Sequence, residues 1–79
     1  MEVLLFGITR EITGKQKLTI PEEQAVDTVG ALKNWLAQQY PAISQLKSLA
    51  VAVDSEYADD HQRLNRQSEI ALIPPVSGG

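Results

Sequence analysis

The chain has 79 residues, 43% hydrophobic and 22% charged, and seven Lys and Arg against ten Asp and Glu give a formal net charge of -3. This is the size of one small domain, which buries roughly 60% of the surface its unfolded chain exposes, and its charge offers no bulk attraction to nucleic acid or an anionic membrane. With no cysteine, a disulfide framework, a Cys-based zinc site, a thiol nucleophile and an iron–sulfur cluster are excluded, so any sulfur chemistry must draw on sulfur from outside.

Glu2 to Ile8 is a continuous apolar run of strand length, the pattern of a strand covered on both faces. Val3, Leu5 and Gly7 alternate with Leu4, Phe6 and Ile8. Beyond Gly14, Lys15 to Ile20 reads as a half-exposed edge strand paired to the first as a hairpin, with Gln16, Leu18 and Ile20 on one side. Pro21 ends it. Asp27 or Thr28 can cap a helix whose apolar stripe is Val29, Leu32, Trp35, Leu36 and Tyr40. Gly30 lies near its first turn, and Pro41 stops it at Tyr40. Ala42 to Ser48 is a connector with room for a short 3₁₀ turn. Leu49 to Val53 is a strand, Asp54-Ser55-Glu56 a turn, Tyr57-Ala58 a short strand, and Glu69 to Ile73 the last strand.

The order strand, strand, helix, strand, short strand, strand predicts an α+β domain, a mixed sheet with one main helix packed across it. The ubiquitin-like β-grasp arrangement has this order, with the first and last strands parallel neighbours at the sheet centre. The expected division is a β-grasp domain over residues 1–73 and an extended tail over 74–79. No run approaches the roughly 20 apolar residues of a membrane span. Met1 to Phe6 lacks the basic start of a signal peptide, so the cytoplasm is the expected compartment and no membrane partner is expected.

Internal catalytic constellations are missing. His61 is the single histidine, in a polar turn beside Asp59 and Asp60, and reads as solvated surface; no metal site is expected. Adjacent carboxylates such as Glu22-Glu23 point apart and suit no acid/base pair. No Gly-rich phosphate loop leads into a helix, so no cofactor is expected on this chain.

The informative segment is Ile73-Pro74-Pro75-Val76-Ser77-Gly78-Gly79. Two prolines after a strand end sheet pairing and hold the chain extended. The last two residues carry no side chains, so the segment can thread a narrow channel and present a carboxylate deep inside another protein. A terminal carboxyl, with a pKa of about 3.3–3.7, is an anion and a poor electrophile until activated, for example as an acyl-adenylate. The alternative is an inert flexible end.

Together these segments resemble the small subunits of molybdopterin synthase, sulfur carriers of the ubiquitin-like β-grasp group. The strongest match is Ile70 to Gly79, similar to the family's last strand and Pro-Pro-Val-[Ser/Thr]-Gly-Gly ending. Val3 to Glu11 resembles the first strand with its Arg-Glu pair, Asp27 to Leu32 the start of the main helix, and Leu49 to Val53 the middle strand. Departures are Gln67-Ser68-Glu69 for the family's Gly-Asp-Glu turn, Asp54 for its Asn, and Leu72-Ile73 where aromatics are common.

The resemblance implies that an E1-like enzyme, using ATP, adenylates Gly79. A sulfur donor converts the adenylate to a thiocarboxylate, with Gly78 part of the same reactive end. The thiocarboxylate then gives its sulfur to cyclic pyranopterin monophosphate on the large subunit, within a heterotetramer of two small and two large subunits. It implies docking through Phe6, Arg10, Leu72 and Ile73 and through Pro74, Pro75, Val76 and Ser77. For Phe6, Leu72 and Ile73 the competing reading is ordinary sheet core, and for Arg10 a surface ion pair. Rival functions are a thiamine-pathway sulfur carrier, a ubiquitin-like protein modifier and a plain interaction module with an inert tail.

Overall fold

The computed structural model describes residues 1–46 and 48–74. In chain order it contains β1 (Glu2–Leu5), α1 (Ile8–Thr13), β2 (Lys17–Thr19), α2 (Val29–Gln39), a 3₁₀ turn over Pro41–Gln45, β3 (Ala50–Val53), β4 (Glu56–Ala58) and β5 (Ile70–Ile73). The strands form one mixed sheet in the order β2-β1-β5-β3-β4. β1 and β5 are parallel, with Val3 opposite Ile70, Leu4 opposite Ala71 and Leu5 opposite Leu72. The other pairings are antiparallel. This is the expected α+β, β-grasp arrangement, with the first and last strands side by side.

The main difference from the sequence reading lies between residues 6 and 14. The strand expected over Glu2–Ile8 stops at Leu5, and the segment before Gly14 is a short helix. Gly7 has φ of +53°, a conformation that turns the chain out of the sheet and that side chains disfavour. The fully buried Thr9 fixes the bend: its hydroxyl accepts from the Phe6 N–H at 3.1 Å and donates to the Phe6 carbonyl at 2.5 Å. Gly14, at φ +71°, ends the helix in the left-handed conformation common there and donates its N–H to the Arg10 carbonyl. β1 and β2 are therefore antiparallel neighbours joined through a helix rather than a plain hairpin.

α2 begins at its N-cap Thr28, whose hydroxyl accepts from the Ala31 N–H at 3.1 Å, which decides between the two candidate caps. The Val29 and Gly30 N–H groups donate to the carbonyls of Gln62 and Asp60, so the 59–64 loop satisfies donors that a helix start leaves open. Lys33 reaches the same loop through an ion pair with Asp60 at 2.8 Å, and this hydrogen bond, then the charge itself, holds the Asp60 carboxyl below its ordinary range.

α2 packs Val29, Leu32 and Leu36 onto one sheet face, made by Val3, Leu5, Leu18, Val51, Val53, Ile70 and Leu72; all are buried. Trp35 and Tyr40 are half-buried against this core. The expected alternation in β1 and β5 is present, but these strands are covered on one face only: Leu4, Ala71 and Ile73 are half-buried on the other.

Two of the three departures from the family pattern, Asp54 and the Gln67-Ser68-Glu69 segment, meet at one turn. Asp54 and Ser55 have φ of +52° and +71°, the pair of left-handed residues that a tight hairpin of this twist needs. Asp tolerates that conformation as Asn does. Asp54 donates its N–H to the Glu69 carbonyl, and its side chain accepts the Glu69 N–H at 2.9 Å. The turn is thereby clasped to the start of β5. Among the described residues no helix is long and apolar enough to cross a membrane.

Leu72 is fully buried in the helix-facing core. Leu72→Ala should lower unfolding free energy by about 2–5 kcal/mol, measured by urea denaturation.

Candidate functional site

The sheet register builds the site. On the face away from α2, Lys17 lies opposite Leu4, Leu4 opposite Ala71, Ala71 opposite Ala52, and Ala52 opposite Tyr57. In the next row Ile73 lies opposite Ala50. The floor of this face is thus three alanines, with larger apolar side chains around them. Tyr57 on the edge strand is 76% exposed, and Phe6, one step beyond the Leu5–Leu72 pair, is 45% exposed. No described element covers this face. Apolar residues gathered this way on a sheet mark an interaction surface more than isolated ones do.

The sequence-derived contact residues separate here. Phe6 and Ile73 are accessible at the same end of the sheet. Leu72 is not: its side chain points into the core with 0% exposure, so no docking partner touches it in the folded domain. The alternation within β5 explains this, because neighbouring residues face opposite ways. Tyr57 is an addition. Its place opposite Ala52 depends on strand register, and the sequence signal was only an aromatic at an alternating position of a short strand.

Pro74 follows directly after β5, beside the bend at Gly7. A Cβ on residue 7 would sit 3.0 Å from the Pro74 Cγ, so the glycine backbone lets the proline ring approach closely. Gly7, Arg10, Lys15 and Pro74 line one open groove of about 800 Å³. Arg10 is exposed on α1 and has no carboxylate partner among the described residues, so the surface ion pair weighed for it does not form there. Pro75, Val76, Ser77, Gly78 and Gly79 lie outside the described residues. His61 is exposed, its N–H donating to the Asp59 side chain in a local turn.

Chemically, the described residues present a surface rather than a reaction centre. The two carboxyls held below the ordinary range, Glu2 and Asp60, owe this to hydrogen bonds and charge from Lys17 and Lys33, and both ion pairs are exposed. What the fold provides is a shallow apolar platform leading to the root of the glycine-ended segment.

Comparison with known proteins agrees in sequence and fold. Residues 3–79 match the ThiS family. A molybdopterin synthase sulfur carrier subunit from Caenorhabditis briggsae is 40% identical over 82 residues, covering 100% of this chain and 96% of that protein. The protein of the same name from Homo sapiens is 35% identical over 85 residues, covering 100% and 93%. Among solved structures, the crystal structure of SAMP1 from Haloferax volcanii superposes with a TM-score of 0.79 at 28% identity, covering 99% of this chain and 97% of that one.

Tyr57 is largely solvent-exposed, so Tyr57→Ser should change unfolding free energy by no more than about 0.5 kcal/mol. Urea denaturation beside Leu72→Ala separates platform from core.

Proposed function

Because the chain belongs to the ThiS family, we infer that it is the sulfur carrier subunit of a molybdopterin synthase. The observation that carries this reading is the continuity of an uncovered apolar sheet face with the root of a Pro-Pro-Val-Ser-Gly-Gly segment. The names of the full-length relatives favour it over the thiamine-pathway alternative.

The cycle has two stages. On an E1-like enzyme, a carboxylate oxygen of Gly79 attacks the α-phosphorus of ATP and pyrophosphate leaves. Sulfide supplied by a sulfur donor then attacks the acyl carbon, AMP departs, and Gly79 ends in a thiocarboxylate. ATP belongs to that enzyme, and this chain holds no cofactor. In the second stage the domain docks on the large subunit through Phe6, Tyr57 and Ile73. Pro74, Pro75, Val76 and Ser77 lead through the channel, and Gly78 and Gly79 reach the active site. The thiocarboxylate sulfur bonds to a side-chain carbon of cyclic pyranopterin monophosphate and displaces an oxygen group there; water then cleaves the acyl carbon–sulfur bond, returning the carboxylate, and a second carrier supplies the second sulfur of the dithiolene. Acid/base groups come from the large subunit, in an assembly of two small and two large subunits in the cytoplasm. Gly79 is in this sense a recycled cosubstrate.

The likeness to SAMP1, a small archaeal modifier protein by name, favours one second reading: the same adenylate captured by a lysine amine of a target protein, giving an isopeptide. The two differ in the acceptor.

Reconstitution with the large subunit, the pterin precursor and thiocarboxylated chain tests the reading. Molybdopterin should form with the native tail and fall below detection when Gly79 is deleted, while docking persists. A Tyr57→Ser, Ile73→Ser double variant should weaken docking by at least about tenfold, read by titration calorimetry. Product from the Gly79-deleted chain, or isopeptide conjugates without sulfur transfer, would refute the carrier assignment.

A further inference from the structure

We propose that the open sheet face pairs with the same face of a second copy of this chain, across a two-fold axis running along β5. This pairing is independent of the carrier reading, to which it adds one consequence: the free carrier covers its own platform until a docking partner displaces the second copy.

The sheet itself carries the symmetry. β5 is the middle of five strands, in the order β2-β1-β5-β3-β4. A two-fold axis along β5 sets β1 over β3 of the second copy and β2 over its β4, with the rows in step. One row of the open face reads Lys17, Leu4, Ala71, Ala52, Tyr57 across the strands. Turned onto itself, this row puts Leu4 on Ala52 and Lys17 on Tyr57, each twice, with Ala71 on Ala71. In the next row Phe6 meets Ala50 and Ile73 meets Ile73. An isologous interface needs such self-complementarity. The bulky groups Leu4 and Phe6 fall on alanines, which is how two close-packed surfaces interlock.

The two edges agree with this axis. Lys17 keeps its ion pair with Glu2 at 2.8 Å, and the exposed ring of Tyr57 comes over it from the second copy. A cation then meets an aromatic face at both sides of the pair. The other two-fold arrangement, with its axis across the strands, fits worse. It sets Lys17 on Lys17 and puts the apolar Phe6 and Ile73 over the exposed carboxylates Glu2 and Glu69, which opposes like charges and desolvates acids without a partner.

Two features keep the pair weak. Five strands about 4.8 Å apart, with four residues rising about 3.4 Å each, give a face of roughly 330 Å² in projection. A standard interface buries about 800 Å² of each partner. At the end of the face away from Ile73, Glu69 meets Glu69 and Glu2 meets Asp54, all of them exposed. Like charges brought together across an interface repel. A larger partner that also holds the glycine-ended segment therefore replaces the second copy.

The test is sedimentation equilibrium of the full chain alone. The weight-average mass should rise with concentration from one chain toward two, with a Kd on the order of 0.1–1 mM. Added salt should tighten the pair by screening its acidic end. Ile73→Glu should stay monomeric at the same concentrations, with a cooperative urea transition showing it folded. Because the chain has no cysteine, single cysteines read the geometry. With a short bismaleimide, Ala71→Cys should couple to itself. Leu4→Cys and Ala52→Cys should couple to each other on mixing, and each far less to itself. Saturating large subunit should suppress the Ala71→Cys product. A mass that stays at one chain up to about 1 mM, a pair that loosens as salt is added, or Leu4→Cys coupling to itself as readily as to Ala52→Cys would overturn the proposal. So would an Ala71→Cys product that bound large subunit leaves undiminished. Failure of molybdopterin reconstitution, with the cross-links formed as expected, would sink the carrier reading and leave the pair standing.

Discussion

The parallel pairing of β1 with β5 is the contact on which the rest of the molecule depends. It joins segments almost the full chain length apart, so its loop-closure cost must be met by what it organises. It aligns Val3, Leu5, Ile70 and Leu72 under α2 and turns Leu4 and Ala71 to the open face. Because side chains alternate, a slip of one residue in β5 would carry Ile70 and Leu72 to solvent and bring Ala71 and Ile73 into a core that needs larger and differently shaped groups. The same pairing puts the bend at Gly7 beside Pro74. Pro74 thus follows the sheet next to the platform and the groove.

Much of this was legible in the sequence. The strand–helix–strand order, the helix stripe and the apolar first and last strands suffice for the sheet and its parallel pair. α1 was not legible, because Ile8 continues an apolar run and a helix of fewer than two turns offers too few positions for a 3.6-residue period to stand out from alternation. Its signals were local: Gly7 where the chain bends, Thr9 able to bracket Phe6, and Gly14 just after the last turn. The assignment of β1 and β5 to one covered and one open face was hidden for another reason. When both alternating sets are apolar, pattern alone does not say which faces the core, and so Leu72 stood beside Ile73 as a contact residue. Tyr57 needed the register of three strands before its side could be known.

In the proposed cycle the activation of Gly79 falls to partner enzymes; the sequence has no cysteine and no phosphate-binding loop, and the two carboxyls held below their ordinary range among the described residues, Glu2 and Asp60, are exposed ion-pair partners. The fold's contribution is presentation. In the proposed cycle the alanine-floored sheet face, which ends beside Pro74, is the surface that partners hold. The exchange of Asn for Asp at residue 54 leaves this arrangement intact, because the Asp54–Glu69 clasp retains both the left-handed turn and the alignment of β5.

The central claim is that Gly79 carries sulfur as a thiocarboxylate. Its most direct test is the intact mass of the chain after incubation with ATP, an activating enzyme of this family and a sulfide source. The account predicts a gain of one oxygen-for-sulfur exchange, lost when ATP is omitted or Gly79 is deleted. An unchanged mass, with an activating enzyme that thiolates another carrier of the family under the same conditions, would contradict it.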